Sequence, residues 1–298
     1  MTGDLVPFSW NLITDLRTMW EFGFMRNAFE AGTIISIVAG IIGYFVIIRR
    51  SAFATHALGH VGFSGAAAAV LLGVNPVYGL LLFTSTGATG MALLGPRAAN
   101  RDIEIGTVLA FMLGLGLLFI SLYNGYATEA YSILFGEILG ISDSGVLFTL
   151  EASAVVLVVI ALIYRRLLFA SLDEDVAEAK GMPMLALGLT FMLLLAVAIS
   201  IAVQVIGVLL IFALMVTPAA VAVRLTRRPL YAVLVSIAVA LFATWVGLFV
   251  QFYAQYPASF FIVTIAFSVY LVVRVGQAIS ARFVRRGLPS PPVKALGG

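Results

Sequence analysis

Cysteine is absent from the 298-residue chain, and histidine and lysine occur only twice each. Without cysteine there is no disulfide, no cysteine-held zinc and no thiol nucleophile. The two lysines, Lys180 and Lys294, are followed by Gly181 and Ala295, so neither closes a G-x-x-x-x-G-K-[ST] phosphate loop. Any energy from ATP must therefore come through another polypeptide. Charge is also scarce. Asp, Glu, Lys and Arg make up 10% of residues, against about 25% in a water-soluble globular domain. No basic patch interleaved with stacking aromatics is present, which removes nucleic acid as a partner.

What is abundant is apolar: 62% of residues are hydrophobic and the mean hydropathy is +1.12. Such a chain cannot cover a surface facing water, and its length accommodates many spans of roughly 20 residues. The basic residues mark where the spans turn. Between Arg50 and Arg97 lie 46 residues without Lys or Arg, between Arg101 and Arg165 63, between Lys180 and Arg224 43, and between Arg228 and Arg274 45. Even 43 helical residues at about 1.5 Å each exceed twice the ~30 Å hydrocarbon core. Each interval is thus a hairpin that leaves one face and returns to it.

The expected fold is an all-α polytopic transmembrane helical bundle of about nine spans (eight to ten are compatible). The spans fall near 29–48, 57–73, 76–95, 104–123, 146–164, 184–203, 205–223, 229–250 and 258–273. The positive-inside rule puts 15 of the 17 basic residues and the C-terminus in the cytoplasm, with only Arg17 and Arg26 outside. Residues 1–28 carry acids and lack the basic-then-apolar order of a cleavable signal. They are expected to form an amphipathic interfacial segment, with 29–277 the transmembrane permease domain and 278–298 a disordered cytoplasmic tail. The segment 124–145, with Glu129, Glu137 and Asp143, is expected to be a re-entrant or lid-like helix on the outer face.

His56 and His60 stand four apart, stacked on one face of a helix near the inner end of the second span. Intramembrane ionisable groups commonly line a pathway, and neutral imidazole ligates zinc and other late first-row metals. The blander reading, histidines satisfying buried carbonyls or facing a vestibule, stays open beside it. Ala57 occupies the place of the glutamate in H-E-x-x-H, so no zinc-protease base is present.

The inner loop 165–182 reads as a short helix capped by Ser171 or Asp173, with acids in its first turn and Gly181 after its end. It is either an ordinary solvated helix or a docking helix for a soluble partner. Gln204 and Gly207 mark a reversal, and Thr217-Pro218 is expected to interrupt and kink the seventh span.

Several of these stretches resemble the zinc/manganese permease family of bacterial ABC importers. Arg49-Arg50-Ser51-Ala52-Phe53 through Gly65 is similar to a signature in which a basic pair and an aromatic precede Gly-Asp-Ala-x-Ser-His and a closing Pro-Gly. Phe135-Gly136-Glu137-Ile138-Leu139, Asp173 to Gly181, and Val203-Gln204-Val205-Ile206-Gly207 through Pro218-Ala219-Ala220 resemble further family segments in the same order.

The resemblance implies a non-enzymatic permease subunit that works as a dimer with a second copy. Its other implied partners are two ATP-binding cassette ATPase subunits and an extracytoplasmic metal-binding protein. No cofactor is implied; a divalent metal is the transported substrate. His56 and His60 would contact it, Asp173, Glu174, Ala177 and Gly181 would couple to the ATPase, and Gln204, Gly207, Pro218 and Glu137 would serve gate or pathway. His60 matches the family histidine, whereas His56 stands where the family has aspartate. Exchanging a hard, negative oxygen donor for imidazole favours zinc over manganese, with iron third, and also makes the site less attractive to any cation. Two alternatives remain at this point: a permease for an iron chelate, and a secondary metal transporter or channel that needs no ATPase.

Overall fold

The computed structural model describes residues 11–93, 101–123, 136, 138–254 and 256–286. Eleven helices are found among these residues: α1 Leu12–Glu21, α2 Gly23–Ile48, α3 Ala52–Leu71, α4 Pro76–Leu93, α5 Arg101–Leu122, α6 Asp143–Leu172, α7 Glu174–Ala179, α8 Met184–Ile206, α9 Val208–Leu225, α10 Pro229–Ala254 and α11 Ala258–Arg286. The protein is an all-α polytopic bundle. Each of the nine spans expected from the charge intervals coincides with one helix. Six of these (α2, α5, α6, α8, α10 and α11) contain stretches long and apolar enough to cross a bilayer. Helices are the form a chain must take there, because every backbone polar group has to be satisfied without water.

Local signals fix the helix ends. Asn11 accepts from the Ile13 amide (3.2 Å) at the start of α1, and Ser142 accepts from Gly145 (3.2 Å) at the start of α6. A single extended residue, Phe22, divides the amphipathic α1 from α2, so the first long helix starts before the expected residue 29. At the end of α2 the amides of Arg50 and Ser51 donate back to Ile47 and Val46 (3.1 and 2.9 Å). That closure puts Arg50 in the left-handed region, φ 54°, a conformation few non-glycine residues adopt.

Helix register shows where the basic residues gather. Along α2 and α10, Phe22 meets Phe252, Trp245 Nε1 donates to Thr33 Oγ1 (2.9 Å), and the Ser36 and Thr244 hydroxyls pair (2.8 Å). The two helices are antiparallel, and the Arg49–Arg50 end of α2 lies beside Arg228 and Pro229. Helix α6 runs parallel to α2, from the Asn27–Asp143 bond (2.7 Å) through Phe45 against Tyr164 to Arg49 Nη1 on Ser171 Oγ (3.2 Å). Phe191, early in α8, also packs on Phe45. Arg49, Arg50, Arg165, Arg166, Lys180, Arg224, Arg227 and Arg228 therefore share one end of the bundle, while Arg26 sits at the other beside Glu30 and Asp143.

The centre of the bundle is α2 and α8. Two-thirds of the apolar stretch of each is buried, against about a tenth for α5. Small residues let these helices approach at backbone distance. A methyl on Gly43 would meet the Met215 carbonyl of α9, and Gly65 of α3 and Gly79 of α4 lie against one another's carbonyls. In lipid this packing substitutes for the hydrophobic drive that water would supply.

Two local expectations need correction. The stretch 165–182 is not one short helix: α6 continues to Leu172, and only Glu174–Ala179 forms a separate turn and a half. Ser171 is not its cap, because its hydroxyl donates back to Leu167 O (2.5 Å) inside α6; Asp173 is, accepting from the Val176 amide at 3.1 Å. Pro218 does not interrupt its helix either, since α9 runs unbroken from Val208 to Leu225. A transmembrane helix can absorb a proline when neighbouring groups re-satisfy the freed carbonyl.

Candidate metal pathway

Helix α3 presents both histidines. They meet edge to face with ring centroids 4.7 Å apart, as i,i+4 spacing requires. His60 is buried, and its Nδ1 has no hydrogen-bond partner among the described residues. His56 is half-buried and packs at 5.3 Å against the ring of Phe212 from α9. Among the described residues, no third His, Cys, Asp or Glu joins them in a cluster able to hold a metal. The arrangement is two imidazoles beside an aromatic wall, with the buried Nδ1 of His60 unpartnered.

The helix carrying the pair is held firmly. Ser64 places its hydroxyl against the carbonyls of His60 (3.1 Å) and of Met112 in α5. Thr55 donates to Ser51 O at 3.0 Å. Between the histidines, Gly59 faces α9: a methyl there would lie 3.5 Å from Val208 Cγ1 and 3.8 Å from Ile211 Cγ2. The first turn of α9 therefore stands at the level of the histidine pair.

That turn begins at Gly207, which separates α8 from α9 with φ 83° and ψ 161°. This backbone region is essentially closed to residues with a Cβ. Gly136, itself at φ 75°, lies against the Ile206–Gly207 peptide so closely that a side chain would collide with it. One line of contact thus runs from Gly136 through Gly207 and Val208 to Gly59 and the two histidines. Gln204 sits exposed in the last turn of α8 and Pro218 further along α9; neither is shown in contact with the histidines. Glu137 lies outside the described residues.

At the basic end, Asp173, Glu174, Ala177 and Gly181 do come together. Ala177 is fully buried beneath α7. The amides of Gly181 and Met182 return to Glu178 and Ala177 (2.9 and 3.1 Å), with Gly181 at φ 74°. Arg49 bridges this corner to the histidine helix. Its guanidinium bonds Ser171 and lies 5.2 Å from the Phe191 ring centre, and the chain enters α3 at Ala52. Phe212, Gly136 and Arg49 were not singled out as site residues from sequence. All three lie within segments flagged by the resemblance, but the contacts that bring them to the site are long-range and leave no local trace.

A multi-pass helical bundle holding two imidazoles side by side has the outline of a membrane transport protein. The comparison with known proteins makes this definite: residues 21–277 match the ABC 3 transport family, and the chain belongs to that family as a transport permease of the bacterial plasma membrane. It is 31% identical over 214 residues to the manganese transport system membrane protein MntC of Listeria innocua, covering 72% of this chain and 76% of that one. It is 30% identical over 258 residues to the manganese import system permease protein ScaB of Streptococcus gordonii, covering 86% and 92%. The solved structure of PsaBC from Streptococcus pneumoniae in complex with Fab superposes with TM-score 0.79 at 28% identity over 88% of this chain and 95% of that chain. An inward-facing metal-chelate type ABC transporter gives TM-score 0.68 at 17% identity, covering 90% and 91%; at that identity the likeness concerns the fold alone.

Proposed function

We propose that this chain is the membrane-spanning subunit of an ATP-driven importer for a divalent transition-metal ion. The observation that carries the reading is the paired imidazoles of His56 and His60, 4.7 Å apart, with a buried, unpartnered Nδ1 on His60. The relatives' names, which specify manganese, support the cargo class. In this reading the chain pairs with a second copy, two ATPase subunits dock at α7, and an extracytoplasmic binding protein delivers the ion opposite. Helix α1 lies at the interface, the nine long helices from α2 to α11 cross the membrane, and the last turns of α11 extend into the cytoplasm. The chain itself catalyses nothing.

Transport alternates between two closures. With the Gly136–Gly207 contact made, the histidine pair is covered from one side. ATP-driven movement of α7, passed through Arg49 to the start of α3, opens it to the other. Two imidazoles hold an ion firmly enough to admit it, and the lack of a carboxylate keeps release easy. An iron chelate fits less well, because Phe212 walls the pair closely. A channel that needs no ATPase leaves α7 without a purpose.

Two considerations bear on the metal and point different ways. The imidazole-only donor set favours the later, softer zinc. The relatives are named for manganese, and they lend the zinc preference no support. Competitive uptake of radioactive zinc and manganese, in cells stripped of their own importers, decides between them. His60→Ala is expected to reduce uptake by roughly 10- to 100-fold and His56→Ala by somewhat less, in line with the loss of a metal-directing group. Unchanged uptake in an assembled double variant would remove the histidines from the path.

A further inference from the structure

The strongest unassigned cluster lies away from the histidines, where the C-terminus of α9 meets α11. Tyr270, Arg274 and Gln277 fall on one face of α11, spaced as successive turns require. Gln277 Nε2 donates to the Arg224 carbonyl (2.8 Å), fixing the end of α9 against α11. Arg274 Nη1 donates to the Tyr270 hydroxyl (3.1 Å), and the Arg224 guanidinium lies 5.6 Å from the centre of the Tyr270 ring. Arg227 and Arg228 follow in the turn, with Arg228 5.9 Å from the ring centre of Tyr231. Four exposed arginines are thus gathered, and none is within ion-pair distance of a carboxylate among the described residues.

Their surroundings say what kind of anion fits. Leu225, Leu230, Leu271, Val272 and Val275 are all exposed around the cluster, and α11 turns most of its apolar stretch outward from the bundle. A ligand here meets guanidinium groups and aliphatic side chains side by side. We propose that this corner is a binding site for the headgroup of an anionic phospholipid. Arg224 and Arg274, oriented around Tyr270, take the phosphate, and the acyl chains lie along Leu271 and Val275. Clustered positive charge attracts phosphate oxygens, and basic pockets between transmembrane helices are known to take such headgroups. The site depends neither on the metal reading nor on which face this end occupies.

The test is lipid binding to the purified full-length protein, read by native mass spectrometry during titration with phosphatidylglycerol or phosphatidylcholine. The expected result is a preference for phosphatidylglycerol that falls roughly tenfold in R224Q/R274Q. R165Q/R166Q, which removes equal charge from the same end, should keep the preference. R224K/R274K, which retains both charges, should keep it as well. The proposal is overturned if R224Q/R274Q binds phosphatidylglycerol like the parent, or if R165Q/R166Q loses as much. It is likewise overturned if R224K/R274K loses the preference, since the effect is then structural, or if millimolar inorganic phosphate displaces the lipid, since the site then reads a free anion.

Discussion

Helix α3, 20 residues long, and helix α7, only six, both sit at the centre of the transport reading, yet they are held in opposite ways. Helix α3 is gripped on several sides. Its glycines meet α4 and α9, its Ser64 hydroxyl meets α5, and most of its residues are buried. Helix α7 is six residues long, is capped by one exposed aspartate and buries one alanine. The difference separates a part whose geometry must be kept, because two side chains have to meet the same ion, from a part that must yield when a partner pushes on it. Close-packed interiors transmit displacement, while lightly attached segments receive it.

The comparison can be broken at its rigid side first. Gly207→Ala forces a Cβ into a backbone region reserved for glycine, costing on the order of 1–3 kcal/mol of strain. Because Gly207 also touches Gly136 and precedes Val208, metal uptake should fall to background while the protein still reaches the membrane. Retention of more than half the parental uptake would show that the α8–α9 break is not under the constraint described.

A smaller loss is expected at the bridge. Arg49→Gln removes the contacts to Ser171 and the Phe191 ring but leaves the histidines in place. In reconstituted complexes, ATP hydrolysis should persist while uptake per ATP drops several-fold. A proportional fall in both would instead mark Arg49 as a plain stability residue.

The smallest effects belong to α7. Asp173→Ala should cost about 1 kcal/mol of local helix stability through loss of the cap, and Gly181→Ala a similar amount by opposing a positive φ. Each should lower uptake two- to threefold without changing the metal preference. Loss as complete as that of Gly207→Ala would mean that α7 is as tightly constrained as α3, contrary to the contrast drawn here.

Much of this architecture was legible in the chain itself. The four intervals between basic residues located eight of the nine long helices among the described residues and the Arg49–Arg50 pair closed the first, because charge is excluded from the hydrocarbon core and must collect at its edges. The histidine pair was legible because four residues make one helical turn. Asp173 as a cap and Gly181 as a terminator followed from local chemistry. What escaped was either non-local or a matter of helix continuity. Phe212 lies against His56 only because α9 folds back onto α3. Ser171 looked like a cap but bonds its own helix, since a serine hydroxyl near a helix end can serve either the next helix or the carbonyl four residues back. Pro218 looked like a break, but proline lowers helix stability without forbidding continuity inside a bundle. The zinc preference rested on a single imidazole-for-carboxylate exchange, and the manganese names of the relatives give it no backing.

Helix α6 is 30 residues long, about 45 Å at 1.5 Å per residue, so it overhangs a ~30 Å hydrocarbon layer by roughly 15 Å. Asp173 and α7 are thus carried on a cantilever clear of the lipid. Tilting that beam by about 10° about its far end would sweep its tip sideways by roughly 8 Å. A modest angular adjustment within the membrane and a large stroke at the tip are then one and the same motion, and Arg49 holds the beam at that tip.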